Sequence, residues 1–253
     1  MYVDYHVHPL SHSGGDYTEV LLIPYLSEAR ERGLTEIGFA DHDEYWEGLD
    51  RTIIASVSAS FPDLKIKLGM EVSYWPGRET EIAGLARRYP FDYLIGSVHD
   101  IDNWMFDHPA YRMGYRAWEF DDLYRKYYEL IKGMAHSRLF DIVGHLDLIK
   151  KYGYRPEGDL LPFAELALQA IRQSGLVVEL NTAGLHKPCA AIYPSQELLS
   201  RCFELDIPVT LGSDAHTESE VGRDFVYARE ILYRIGYRRI AVFSQRQRSF
   251  ISL

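Results

Sequence analysis

Histidine carries the chemistry of this sequence, and its ten copies are not scattered. His6, His8 and His12 fall within seven residues of the stretch VDYHVHPLSH. Others recur at the ends of short apolar runs. Asp41 and His42 close EIGFADH, His99 closes FDYLIGSVH, His145 lies in DIVGHLD, and Asp214 and His216 close PVTLGSDAH. Glu71 lies late in KIKLGMEVSY. Neutral imidazole and carboxylate together bind Zn²⁺, Mn²⁺ or Fe. His6 and His8 are two apart on a predicted strand, so both side chains point to one face, and the same holds for Asp214 and His216. Glu71 has two oxygens and can bridge two ions. One ion takes about four ligands, so nine candidates (His6, His8, His12, His42, Glu71, His99, His145, Asp214 and His216) imply two to three divalent ions. A single strand-end histidine is ordinarily a hydrogen-bonded structural residue; recurrence at six strand or loop positions is what implies a shared site. Asp16 competes with His12 for its place. Asp41 either binds metal or orients His42 from behind. His108, His136 and His186 fall outside the pattern, and His136 reads as a helix C-terminal cap.

These residues need a scaffold that brings distant segments to one place. The chain alternates strand and helix throughout. Strands are predicted over 2–8, 36–42, 65–74, 91–99, 141–147, 176–181 and 208–216, with a further short one over 240–243. Helices are predicted over 18–33, 49–61, 78–89, 120–136, 162–175, 195–205 and 224–236. The helix over 18–33 spaces Leu22, Leu26 and Ala29 on one face and stops at Gly33. The strands are short apolar runs, as expected of parallel strands covered by helices on their outer side. Seven or eight such units favour a closed or nearly closed α/β barrel. The glycine-rich turn of a dinucleotide fold is missing after the first strand. In a parallel barrel the strand C-termini share one face, where active sites are built, and the candidate ligands sit at those ends.

Composition bounds the rest. With 253 residues and 47% apolar content, the chain can build one large core, and no linker or low-complexity segment divides it, so 1–253 is expected to be a single domain. The net charge of −10 disfavours general nucleic-acid binding. No apolar run approaches the roughly 18 residues of a membrane span, and no secretory signal is visible. Cys189 and Cys202 match no metal spacing, which suits a cytoplasmic protein with reduced thiols.

The ordered set HVH (6–8), ADH (40–42), GMEV (69–72), GSVH (96–99), GH (144–145) and SDAH (213–216) resembles the motifs of the polymerase and histidinol phosphatase (PHP) superfamily along nearly the whole chain. Three longer stretches, over 89–109, 144–156 and 179–195, are similar to its histidinol-phosphatase branch. The resemblance implies a distorted (β/α)7 TIM-like barrel with a trinuclear centre at the C-terminal ends of the strands. It implies His6, His8, Glu71 and Asp214 for the first metal; Glu71, His99 and His145 for the second; and His12, His42 and His216 for the third. It further implies hydrolysis of L-histidinol phosphate to L-histidinol and phosphate, a step of histidine biosynthesis.

For such a phosphomonoesterase, a metal-bridging hydroxide attacking phosphorus in line is the expected chemistry, with Glu71, Asp214, His42 and Asp41 as the catalytic set. Asp16, Asp41 and His186 are alternatives for protonating the leaving group. Arg155 lies in the loop after the fifth strand, where a guanidinium would grip a phosphate. Trp104, Phe106 and Asp107 follow His99 and would supply an apolar wall and a carboxylate for a substrate ammonium. His186 and Lys187 are further substrate-binding candidates. Three rivals stand beside this reading: a phosphoesterase of the same fold acting on a nucleotide or oligonucleotide end, an amidohydrolase-type enzyme, and a non-catalytic metal-stabilised barrel. The second would want a carboxylated lysine at a strand end, and no lysine lies among the motifs. The third would be expected to have lost ligands.

Overall fold

A computed structural model describes residues 2–11 and 14–253. In chain order its elements are β1 (Tyr2–Val7), α1 (Glu19–Glu31), β2 (Leu34–Phe39), α2 (Arg51–Ser60), β3 (Lys65–Leu68), β4 (Glu71–Ser73), α3 (Glu79–Arg88), β5 (Ile95–Ser97), β6 (Asp100–Ile101), β7 (Trp104–Met105), α4 (Phe120–Ser137), β8 (Ile142–Val143), α5 (Leu161–Ser174), β9 (Val177–Asn181), α6 (Gln196–Glu204), β10 (Val209–Gly212), α7 (Phe225–Ile235), β11 (Arg239–Ser244) and β12 (Gln247–Ser252). Several caps are written in the sequence: Thr18 accepts from the Leu21 amide at the start of α1, Asp50 from Thr52 at α2, and Ser195 from Leu198 at α6. Gly175 ends α5 in the left-handed region, at φ 73°.

The fold is α/β with parallel strands. One sheet runs β1-β2-β3 and a second β10-β9-β8-β5-β4, each pair parallel. Backbone contacts link the two. The Ala215 amide bonds the His6 carbonyl, the His8 amide bonds the Ala215 carbonyl, and His42 forms a lone parallel bridge with Glu71. The single strand predicted over 65–74 is interrupted: β3 pairs in one sheet and β4 in the other. Gly69 lies at the break, where a Cβ would come within 2.3 Å of the Tyr93 ring. The ring and the backbone can therefore approach only at a glycine.

Tyr5, Tyr93, Ile95, Ile142, Val177 and Leu211 fill a buried cluster together with Ile240 and Phe243 of β11. A larger cluster, including Phe39, Tyr124, Tyr127, Ile131, Leu168 and Ile171, packs strands against helices. The predicted strand over 240–243 exists but joins neither parallel sheet. It forms an antiparallel hairpin with β12, and Thr210 and Tyr5 tie the hairpin to the strands through hydrogen bonds to Ala241 and Phe243. Among the described residues no helix is long and apolar enough to cross a membrane.

Candidate metal centre

Glu71 opens β4 with its side chain 1% exposed and stands amid histidines from four other segments. His6 of β1 and His8, directly after it, bring their Nε2 atoms to 3.4 Å and 3.6 Å from Glu71 Oε2. From the turn after β2, His42 Nδ1 lies 2.9 Å from the same oxygen. On the other oxygen, His99 Nε2 (after β5) lies at 3.4 Å and His145 Nε2 (after β8) at 2.8 Å. Asp214, after β10, completes the ring: its Oδ1 is 3.4 Å from His8 Nε2 and 3.7 Å from His216 Nδ1. Asp214 adopts φ 56°, in the left-handed region that non-glycine residues seldom occupy.

Three groups of donor atoms lie close enough to share an ion: His6, His8 and Glu71; Glu71, His99 and His145; and His8, His42 and His216. Glu71 belongs to two of them, as a bridge would. His8 also belongs to two, where the family pattern assigned His12 to the third group; His12 lies outside the described residues. The donor set fits transition-metal cations. Among the described residues His6 Nε2 and His8 Nε2, the two nitrogens turned toward Glu71 Oε2, are buried without a hydrogen-bond partner, and a buried polar atom left so is costly unless something fills the place. The His8 ring lies 4.5 Å from that of His42 and 4.6 Å from that of His216. Five imidazoles around the buried Glu71, with the partly buried Asp214 beside them, leave lone pairs directed inward that a cation can receive.

The electrostatics agree. Burial pushes Glu71 upward, but His6, His99 and His42 and the hydrogen bond from His145 outweigh it and hold the carboxyl well below its ordinary range. Asp214 is likewise held low, against burial, by His6, His8 and His216. Burial pushes His6 downward, but Glu179, Glu71 and Asp214 hold it well above the ordinary imidazole range. His8 moves the other way, lowered by burial and by the neighbouring His42, His216 and His6. Both carboxylates are thus ionised, ready to bind cations.

A second layer, not anticipated from the sequence, aims these candidate ligands. Glu179 of β9 contacts His6 Nδ1 at 2.6 Å through Oε1, while its Oε2 accepts from the His145 amide at 2.8 Å and from Asn181 at 3.1 Å. Ser73 Oγ lies 2.9 Å from His99 Nδ1. Asp4 accepts from the Ser213 and Gly222 amides and from Ser213 Oγ, tying β1 to the segment that carries Asp214. Partners of this kind fix ring orientation and raise ligand basicity. The available signal for Glu179 was a lone charge inside the apolar run LVVELN.

Beside the centre opens a cavity of about 780 Å³, lined by His42, Asp43, Ser73, Arg78, His99 and Asp107 among others. Asp107 faces it and pairs with Lys151 at 3.4 Å. The other substrate-side expectations fare differently. Phe106 is fully buried against Trp104 and Tyr127, so it packs the core and is no cavity wall. Trp104 donates to the Tyr111 carbonyl and packs on Tyr115 and Trp118, bracing the β6–β7 hairpin. Asp41 lies outside the three ligand groups, its oxygens accepting from the Leu10 amide (2.9 Å) and the Tyr17 hydroxyl (2.7 Å). His186 bonds Asp224 at 2.7 Å, and neither it nor the exposed Lys187 lines the cavity. Arg155 is exposed outside the cavity lining, in the electrostatic range of Tyr124 and Glu197. Asp16 is also exposed.

Comparison with known proteins gives the same direction. The PHP domain profile matches residues 4–183. A Deinococcus radiodurans protein named "Probable histidinol-phosphatase" is 37% identical over 253 residues, covering 94% of this chain and 95% of its own. The histidinol-phosphatase of Lactococcus lactis is 28% identical over 260 residues, covering 96% and 94%. By fold, the chain is similar to the crystal structure of histidinol phosphate phosphatase from Lactococcus lactis, complexed with zinc, L-histidinol and phosphate. The TM-score is 0.79 at 24% identity, over 98% of each chain. With its motif order, ligand geometry and these likenesses in agreement, the chain belongs to the PHP domain family.

Proposed function

We propose that this chain is a metal-dependent histidinol-phosphatase, hydrolysing L-histidinol phosphate to L-histidinol and phosphate. The observation that carries the reading is the intact ring of imidazoles and carboxylates around Glu71, in a chain whose 37%-identical relative bears that name. A catalytically dead, metal-stabilised barrel would have no need of the whole set. The acidic balance disfavours an oligonucleotide substrate.

The architecture that serves this function is a distorted (β/α)7 barrel in one domain over 1–253. β3 and β4 count as one interrupted strand, and the bonds between Ala215 and the His6–His8 segment join the first strand to the last. The active face is then the face of strand C-termini, as in other parallel barrels. The free thiols of Cys189 and Cys202 suit a reducing, cytoplasmic setting.

Two to three divalent ions would be held by His6, His8, Glu71 and Asp214; by Glu71, His99 and His145; and by His42 and His216 with His8 or His12. Zn²⁺, Mn²⁺ and Fe all suit these donors. Bound at such sites, divalent metal acidifies water to near neutral pKa and neutralises phosphoryl oxygens. The chain's own residues supply the rest. Glu71 and Asp214 enter as ionised carboxylates. Glu179 and Ser73 hold the His6 and His99 rings in one orientation. Asp41 holds the Leu10 amide and the Tyr17 hydroxyl, a positioning role. Asp107 presents a carboxylate at the cavity for the substrate ammonium, and Arg155, outside the cavity lining in the segment before α5, would have to reach in to offer its guanidinium to the phosphate.

The test is hydrolysis of L-histidinol phosphate, AMP and a short oligonucleotide, with metal content measured on the same sample. The expected result is two to three ions per chain and turnover of the first ester far above the others. Less than one ion per chain after reconstitution, or preference for the nucleotide, would overturn the reading.

A further inference from the structure

Arg78 is an arginine that the chemistry above leaves without a role. It stands one residue before α3, its side chain 9% exposed, on the wall of the cavity. Its guanidinium is almost fully committed. Nη1 donates to the Ser73 carbonyl at 2.5 Å, Nη2 to Asp43 Oδ2 at 2.6 Å and to Glu81, and Nε to Glu81 Oε2 at 3.2 Å. The group also stacks over the Trp75 ring at 4.3 Å. An arginine with most of its five donors spoken for is not free to seize a substrate phosphate.

What it does hold is informative. Asp43 directly follows His42, and its other oxygen accepts from the Ser73 amide at 3.1 Å. Ser73 in turn presents its hydroxyl to His99 Nδ1. The turn after β2 and the end of β4 are thus bolted together by one planar fork, and each carries or steers a different imidazole.

We infer that Arg78 is a positioning residue for the metal centre: by tying Asp43, beside His42, to Ser73, the partner of His99, it sets the spacing of two metal-binding imidazoles across the cavity. The inference rests on His42 and His99 being ligands, as proposed above. A planar fork is needed because two acceptors on different segments must be met at once; a lysine reaches one of them but cannot reproduce the geometry. Glu81 is exposed and only trims the outer side.

Metal-free wild type, Arg78→Met, Arg78→Lys and Ser73→Ala are titrated with Zn²⁺ and with Co²⁺ against a competing chelator, with the visible Co²⁺ spectrum recorded. Methionine keeps the volume over Trp75 but removes the fork. Arg78→Met should lose up to about 10-fold in affinity for at least one ion, the lower end of the range for loss of a partner bonded directly to a ligand, because Arg78 acts one contact further out, and it should alter the Co²⁺ spectrum. Arg78→Lys should recover only part of the affinity. Ser73→Ala should weaken binding in the same direction. Wild-type affinity and spectrum in Arg78→Met would reduce Arg78 to packing and overturn the inference. Should that variant not fold, wild-type binding by both Ser73→Ala and Asp43→Asn would overturn it equally. A wild-type protein that takes up no metal would instead remove the underlying reading.

Discussion

At the scale of single residues, the centre turns on Glu71, which shares its two oxygens among five imidazoles. Glu71→Gln keeps the shape and removes the charge. It should abolish most turnover and lose at least one ion per chain by elemental analysis, with an unchanged far-ultraviolet circular dichroism spectrum; near-normal turnover would show the bridge to be misplaced. Arg155 tests phosphate recognition separately from the metals. It is exposed, within electrostatic range of Glu197. Hydrogen bonds to charged groups contribute roughly 1.5–3 kcal/mol, so Arg155→Ala should lower kcat/KM by about 10- to 150-fold. Arg155→Lys should restore part of it, and metal content should stay at the wild-type level. A kcat/KM within twofold of wild type would mark Arg155 as a solvated loop residue. The histidines and Asp214 that the structure brings around Glu71 were legible in the sequence because they sit at or just past the ends of apolar runs, where residue type and strand end coincide; Glu71, which opens β4, stood out as a carboxylate inside such a run. Glu179 and Ser73 were not, because their partners His6 and His99 lie 173 and 26 positions away and only the packed strands bring them together.

At the scale of elements, alternation of apolar runs revealed the parallel strands and their helices, and the site inherited its geometry from that. Two things escaped. The run over 65–74 reads as one strand because nothing in its residue types marks a change of neighbour; the break at Gly69 arises from the Tyr93 ring, which approaches from another segment. β12 reads as polar because its residues are mostly exposed, and its pairing with β11 depends on the turn at Gln245 and Arg246, both at positive φ. Between β1 and β2, Tyr5 donates its hydroxyl to Glu36, which is 5% exposed. Burial raises the Glu36 carboxyl, outweighing that hydrogen bond and the nearby Lys67 and Lys65. A carboxyl raised in the folded state holds its proton more tightly there than in the unfolded chain. Its contribution is therefore complete below the unfolded value of about 4.3 and is lost as pH rises through the folded value. Glu36→Gln keeps an acceptor for Tyr5 and removes the titration. The Tm difference between variant and wild type should grow in favour of glutamine from about pH 4 towards neutrality. A difference that is flat across that range would rule out the shift.

At the scale of the whole molecule, the proposed ligands come from β1, from the start of β4 and from the segments following β2, β5, β8 and β10. Bound cations would therefore cross-link most of the parallel strands of both sheets, and their binding energy would appear as folding stability, since the unfolded chain cannot reproduce the constellation. An ion that binds only the folded state stabilises it by about 2.7 kcal/mol at a hundredfold excess over its Kd. For a chain of this size that is about 5–10 °C in Tm per site, at roughly 2–4 °C per kcal/mol. Protons compete for the same lone pairs. Without metal, His6, His42 and His99 are all held above the ordinary imidazole range against burial, His6 chiefly by Glu179 and then Glu71, His42 and His99 chiefly by Glu71, His99 to about 9. Near neutral pH the empty cluster therefore carries protons that an incoming cation must displace, so uptake releases protons and weakens as pH falls. Calorimetric titration of metal-free protein at pH 7, repeated in buffers of different ionisation enthalpy, should report net proton release. Chelator should lower Tm by several degrees near neutrality, and its effect should shrink towards pH 5, where protonation already excludes the ions. A Tm indifferent to chelator at every pH, or metal uptake without proton release, would mean that these imidazoles face one another for some reason other than holding metal.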